Sequence, residues 1–165
     1  MATYYLKGVP GTTHGGLAYA PGNDIKLSVK VDVPSLIANG GCVDVNNNPL
    51  SVPATGFAIG DVVTIGSIPE GCVIDFCECY VHTINTAQAE VNIGITGGTT
   101  DGLFEDADIH VLASSTDPDA DYIAAAHFCA AGSYLAFIPV TAAILEGVFT
   151  LSFHAYRLRQ PCVAE

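Results

Sequence analysis

Residues 25–33 read Ile-Lys-Leu-Ser-Val-Lys-Val-Asp-Val, an alternation of apolar and polar residues without a fault. In an extended chain Ile25, Leu27, Val29, Val31 and Val33 point one way, and Lys26, Ser28, Lys30 and Asp32 the other. This is the pattern of a half-buried antiparallel strand with one wet face. Pro34 then removes a ladder donor and stops it.

Working outward, Asn39-Gly40-Gly41 and Asn46-Asn47-Asn48-Pro49 are turn chemistry. Asp61 to Ile65 reads as a short strand, closed by Gly66 and the Ile68-Pro69-Glu70-Gly71 turn. Residues 72–84 form a longer strand, with Ile74, Phe76, Tyr80 and Ile84 on one face and Val73, Cys77, Cys79 and Val81 on the other. Apolar residues on both faces imply burial on both sides. Val91, Ile93 and Ile95 alternate with polar residues before Gly97-Gly98, and the pattern returns over 134–140 and 148–158, where Phe149, Leu151 and Phe153 make one row.

Helical spacing is scarce: Asp101 to Ile109 fits one or two turns, and Ala120 to Ala131 reads either way. Residues 1–23 are cut up by Gly8, Pro10-Gly11, Gly15-Gly16 and Pro21-Gly22 and read as an extended N-terminal arm. The sum is seven to nine short strands punctuated by 17 Gly and 9 Pro. The expected fold is all-β, an antiparallel β-sandwich or jelly roll over residues 24–165, with no internal repeat and no second domain.

Composition narrows the function. Charged residues make up 13% of the 165, about half the share of roughly 25% usual in soluble domains. With mean hydropathy +0.41, such a chain covers much of its surface with other subunits rather than with water. The same apolar content excludes disorder. Seventeen acids against five Lys and Arg give a net charge of -12 and a pI near 4.4, which excludes nucleic acid and anionic membrane as partners. The first seven residues lack the basic and apolar regions of a signal peptide. Tyr122 to Leu145 carries no formal charge, but Gly132-Ser133 and Pro139 interrupt it and no Lys or Arg flanks it. Two buried strands split by a turn are expected there, not a membrane helix.

No nucleophile elbow, phosphate loop or zinc-protease motif is present, and His14, His82, His110, His127 and His154 stand singly, so no enzyme and no cofactor are expected. Six cysteines (Cys42, Cys72, Cys77, Cys79, Cys129, Cys162) read as buried thiols or as disulfide formers, Cys162 being best placed to bond a neighbouring chain. Zinc on Cys72, Cys77, Cys79 and His82 fails on a regular strand, because Cys77 and Cys79 face away from the other two unless a bulge rotates the strand.

Asp117, Asp119 and Asp121 open like a calcium loop, yet Tyr122 and Phe128 occupy the positions that need Gly and Glu. A looser calcium site on those three aspartates competes with a solvated acidic turn. Seven acids crowd residues 101–121, and every Lys and Arg lies elsewhere. Arg157 and Arg159 share a strand face from which they can fork onto a partner's carboxylates.

The stretch Asp61-Val62-Val63-Thr64-Ile65-Gly66-Ser67-Ile68-Pro69-Glu70-Gly71, followed by Val91-Asn92-Ile93-Gly94-Ile95 and Asp101-Gly102-Leu103-Phe104, resembles segments of small structural proteins of tailed bacteriophages, among them head decoration proteins of β-sandwich type. The likeness runs over about residues 25–158; the six cysteines depart from it. It implies a capsid decoration or cement protein, a homotrimer docked on the major capsid protein at the outer capsid surface. Tyr4, Tyr5 and Leu6 of the arm are then the expected docking contacts, since aromatic residues carry interface energy. Deleting residues 2–23 should in that case abolish docking and leave a folded core. The competing reading is a tail, neck or fibre-associated module that binds a receptor or glycan.

Overall fold

The computed structural model describes residues 1–7, 24–67, 72–96, 103–112 and 134–157. They form β1 (Thr3–Leu6), β2 (Asp24–Asp32), α1 (Val33–Asn39), β3 (Cys42–Val43), β4 (Pro49–Leu50), β5 (Val62–Ser67), β6 (Cys72–Thr83), β7 (Glu90–Thr96), β8 (Phe104–Asp108), β9 (Tyr134–Pro139) and β10 (Val148–Arg157). The class is all-β. A seven-stranded sheet runs β4-β3-β1-β5-β9-β7-β8, and a three-stranded sheet runs β2-β10-β6. Pairing is antiparallel except between β1 and β5, which run parallel, so the larger sheet is mixed rather than purely antiparallel.

The opening stretch behaves as its alternation demands. Val29 and Val31 are buried while Lys26, Ser28 and Lys30 are exposed, and β2 pairs with β10 from Asp24↔Tyr156 to Asp32↔Val148. The strand ends one residue before its last apolar position. Asp32 accepts a hydrogen bond from the Ser35 backbone N–H (3.1 Å), and Pro34 lies in the first turn of α1, so Val33 starts a helix and is buried from there.

Two further readings are corrected by bulges. Along β6, pairing with β10 jumps from Phe76 to Ile74 and from Thr83 to Val81, leaving Asp75 and His82 as extra residues. The first bulge brings Cys72 and Ile74 to the buried side with Cys77, Cys79 and Val81, while Phe76 (47% exposed) and Tyr80 (42%) face outward. From Phe76 to Tyr80, β6 is therefore covered on one face only, whereas the consecutive Cys72, Val73 and Ile74 are all buried. In β8, where helical turns were expected, three residue steps from Phe104 to Ala107 span two steps of β7, from Ile93 to Val91. Asp106 takes φ +53°, and its N–H is held by Asn92 Oδ1 at 2.9 Å.

The N-terminal residues are not an arm throughout. β1 sits between β3 and β5, and both Tyr4 and Leu6 are only 4% exposed. Residues 8–23 lie outside the described residues, as does most of the uncharged stretch before β9, and no helix among the described residues is long and apolar enough to cross a membrane.

One core serves both sheets. A chain of edge-to-face rings crosses it: Tyr4–Phe57 at 5.1 Å, Phe57–Phe137 at 5.9 Å and Phe137–Phe149 at 5.4 Å, the last linking β9 of one sheet to β10 of the other. Phe57 is fixed by reciprocal backbone bonds with Ile144, both 3.0 Å. Gly56, at φ +78°, lets those backbones meet, since a Cβ there would fall 2.0 Å from the Ile144 carbonyl oxygen. Gly56→Ala is expected to cost about 2–3 kcal/mol, from positive φ and displaced backbone together, read as a lower urea midpoint at unchanged slope.

Candidate functional site

Among the described residues no group of three His, Cys, Asp or Glu side chains is placed to hold a metal. The bulge at Asp75 brings Cys72 to the core side with Cys77 and Cys79, but His82 remains on the wet side. There it lies 2.8 Å from Thr150 Oγ1 and packs edge-on against Tyr80 at 5.0 Å. His110 Nδ1 meets the Asn85 carbonyl at 2.7 Å, and the buried Asn85 side chain in turn ties the loops at 85–87 and 143–146. This histidine is part of a loop clasp. His14, His127, Asp117, Asp119, Asp121, Arg159, Cys129 and Cys162 lie outside the described residues.

Cys42, Cys77 and Cys79 are buried thiols outside any disulfide, which favours the buried-thiol reading for these three, and Cys72 is buried with them. Burial pushes the Cys42 thiol up to about 11 and, with Glu78 adding to it, the Cys79 thiol up to about 12; burial raises Cys77 well above its ordinary range too. Nucleophilic chemistry by these thiols is thereby suppressed. An unfolded thiol ionises near 9.0, so unfolding releases protons above that pH. The thiol contribution to stability is complete below about pH 9 and is lost as pH rises through about 11–12. Mass mapping after brief alkylation at about pH 8 should find these four unmodified in native protein and fully modified in denaturant.

The expected docking contacts do not form one surface. Tyr4 and Leu6 point into the core, because alternate residues of a strand take opposite faces. Tyr5 alone of the three points the other way; it is half-buried edge-on to Tyr134 at 5.7 Å, its phenol raised by burial and then by Tyr134. Arg157 ends β10 in register with Cys72. A residue not singled out from the sequence holds the N-terminus in place. The buried Asp61 carboxylate accepts from the Ala2 N–H (2.6 Å) and the Ala58 N–H (3.0 Å), and the terminal ammonium lies 4.0 Å away. Its only sequence signal was an acid placed directly before the Val-Val of β5.

The surface with binding character is the outer face of the β2-β10-β6 sheet. Register sets three rows across it: Lys30–Thr150–Tyr80, Ser28–Ser152–Glu78 and Lys26–His154–Phe76. Ser28 and Ser152 share a hydrogen bond of 3.2 Å. A shallow groove of about 600 Å³ opens between Lys26, Phe76 and His154. Two exposed aromatics, Phe76 and Tyr80, stand there among lysines and hydroxyls. Glu105 and Asp106, by contrast, are exposed on β8 at the far edge of the other sheet.

No protein-family model matches this chain, and no curated protein matches it in sequence. A solved structure does share its fold. A chain from the capsid of Ralstonia phage GP4 aligns with TM-score 0.57 at 12% identity, covering 93% of each chain. A chain from the capsid asymmetric unit of cyanophage Pam1 aligns with TM-score 0.48 at 14% identity, over 90% of this chain and 99% of that one. At 12% identity the likeness to the GP4 chain is one of fold alone.

Proposed function

We propose that this chain is a structural protein of a tailed-phage virion: a β-sandwich decoration or cement protein that sits on the outer capsid surface, contacts the major capsid protein, associates with itself as a homotrimer and acts without catalysis. The observation that carries the reading is the fold shared end to end with a chain of the GP4 capsid. The charge deficit supports it, because a chain with 13% charged residues gains from subunit contacts. A net charge of -12 keeps it off packaged nucleic acid. Burial that holds the Cys42, Cys77 and Cys79 thiols protonated is in keeping with a non-catalytic role for them.

Mechanically, each copy adds modest contacts across neighbouring capsid subunits. Repetition over a symmetric lattice multiplies them, so that rupture must break many at once. Tyr5, Arg157 and Arg159 are the residues proposed to touch the shell. The test is to add purified protein back to heads assembled without it, while following bound protein by sedimentation and DNA release by dye on heating. Saturable binding with a higher release temperature is expected. Absence of binding to heads, or binding confined to tails, necks or isolated glycans, would contradict the reading.

A further inference from the structure

We infer that the outer face of the β2-β10-β6 sheet receives the acidic β8 edge of a second copy of this chain, in a head-to-tail contact. The inference deepens the self-association in the reading above and does not depend on where in the virion the assembly sits.

Lys26 and Lys30 are exposed on β2, and neither ammonium forms an ion pair with a carboxylate whose side chain is described, in a chain that carries 17 acids. Acids on these three strands stand at the ends of β2 (Asp24 and Asp32), at the β6 bulge (Asp75) or half-buried in the central row (Glu78). Asp32 is occupied as the cap of α1. Two exposed cations with no ion pair to a described carboxylate are open to carboxylates from outside the chain. Phosphate polymers are repelled by the net charge, whereas a second copy supplies carboxylates on a surface already acidic.

Among the described strands, β8 offers them. It is an edge strand of the larger sheet, and its bulge turns Glu105 and Asp106 to solvent side by side. Phe76 and Tyr80 flank the lysine rows and supply apolar area that excludes water from the ion pairs. Because the face and the edge are different patches of one chain, the contact is heterologous, and repeating it closes a ring when the rotation permits.

The experiment uses the full chain in sedimentation velocity at about 0.05 and 0.5 M salt. It compares wild type with K26E/K30E, with E105K/D106K and with all four substitutions together, each first checked for an unchanged thermal melt. Wild type should self-associate, each double reversal should weaken association by about tenfold or more, and the fourfold swap should restore it. High salt should weaken wild type as well. A monomeric wild type, or assembly indifferent to both reversals, would overturn the inference. So would reversals that spare self-association and abolish binding to heads or to a glycan, since the face would then belong to another partner. Charge-dependent rings that ignore heads would uphold the contact and count against the capsid role alone.

Discussion

Deleting residues 2–6 is expected to abolish folding, not merely docking. The segment is β1, third of seven strands, antiparallel to β3 and parallel to β5, and its removal separates the β4-β3 pair from the rest of the sheet. Tyr4 and Leu6 would leave the core, at about 1.5–3 kcal/mol of burial each. The Asp61 carboxylate would lose the Ala2 N–H and stay buried. Against a total stability of about 5–15 kcal/mol, these losses leave little or no margin. The measurement is circular dichroism against urea: a cooperative transition for wild type, none for the truncated chain. Tyr4→Ala alone should cost about 3–5 kcal/mol, since its ring supports Phe57. A truncated protein with an unchanged midpoint would mean that β1 is dispensable, as an arm would be.

Phe137→Ala should have the next largest effect, also about 3–5 kcal/mol. Phe137 has no exposed surface and stands between Phe57 and Phe149, where the two sheets touch through aromatic rings. Truncation opens a cavity that backbone paired on both sides, to β5 and β7, cannot close. At about 2–4 °C per kcal/mol for a domain of this size, Tm should fall by about 10 °C, measured at fixed protein concentration because subunit association also shifts it. Phe137→Leu, which refills most of the volume, should lose about half as much. A loss below about 1 kcal/mol for the alanine variant would show that the sheets do not depend on a common core.

These effects also mark where sequence reading succeeded. β2 and β10 were legible because each buries one face and shows it as a two-residue alternation, and β5, β7 and β9, buried on both faces over their central residues, because they are short apolar runs closed by turn residues. β1 was obscured by the glycines and prolines that follow it, and its parallel partner lies some sixty residues downstream, beyond any local pattern. β3 and β4, with two residues each, are too short to alternate. In β8 the bulge spaces the buried Phe104 and Ala107 three apart, which imitates a helical step. In β6 the bulge at Asp75 moves Cys72 and Ile74 to the side of Cys77, Cys79 and Val81, while Phe76 and Tyr80 lie on the opposite face as read but are exposed, because apolar character alone does not say that a face is covered. The candidate contact surface was half visible as a result: its lysines stood out on the wet face of β2, and its aromatics did not. Asp61 acts through backbone donors, which leave no imprint on side-chain pattern.

The central claim is that this chain belongs to the shell of a virus particle in many copies. Quantitative mass spectrometry of purified virions, with the major capsid protein as internal standard, tests it most directly. The account predicts on the order of hundreds of copies per particle, in fixed ratio to the shell protein. A count of about six or twelve, as for a ring at one vertex, or none at all, would contradict it.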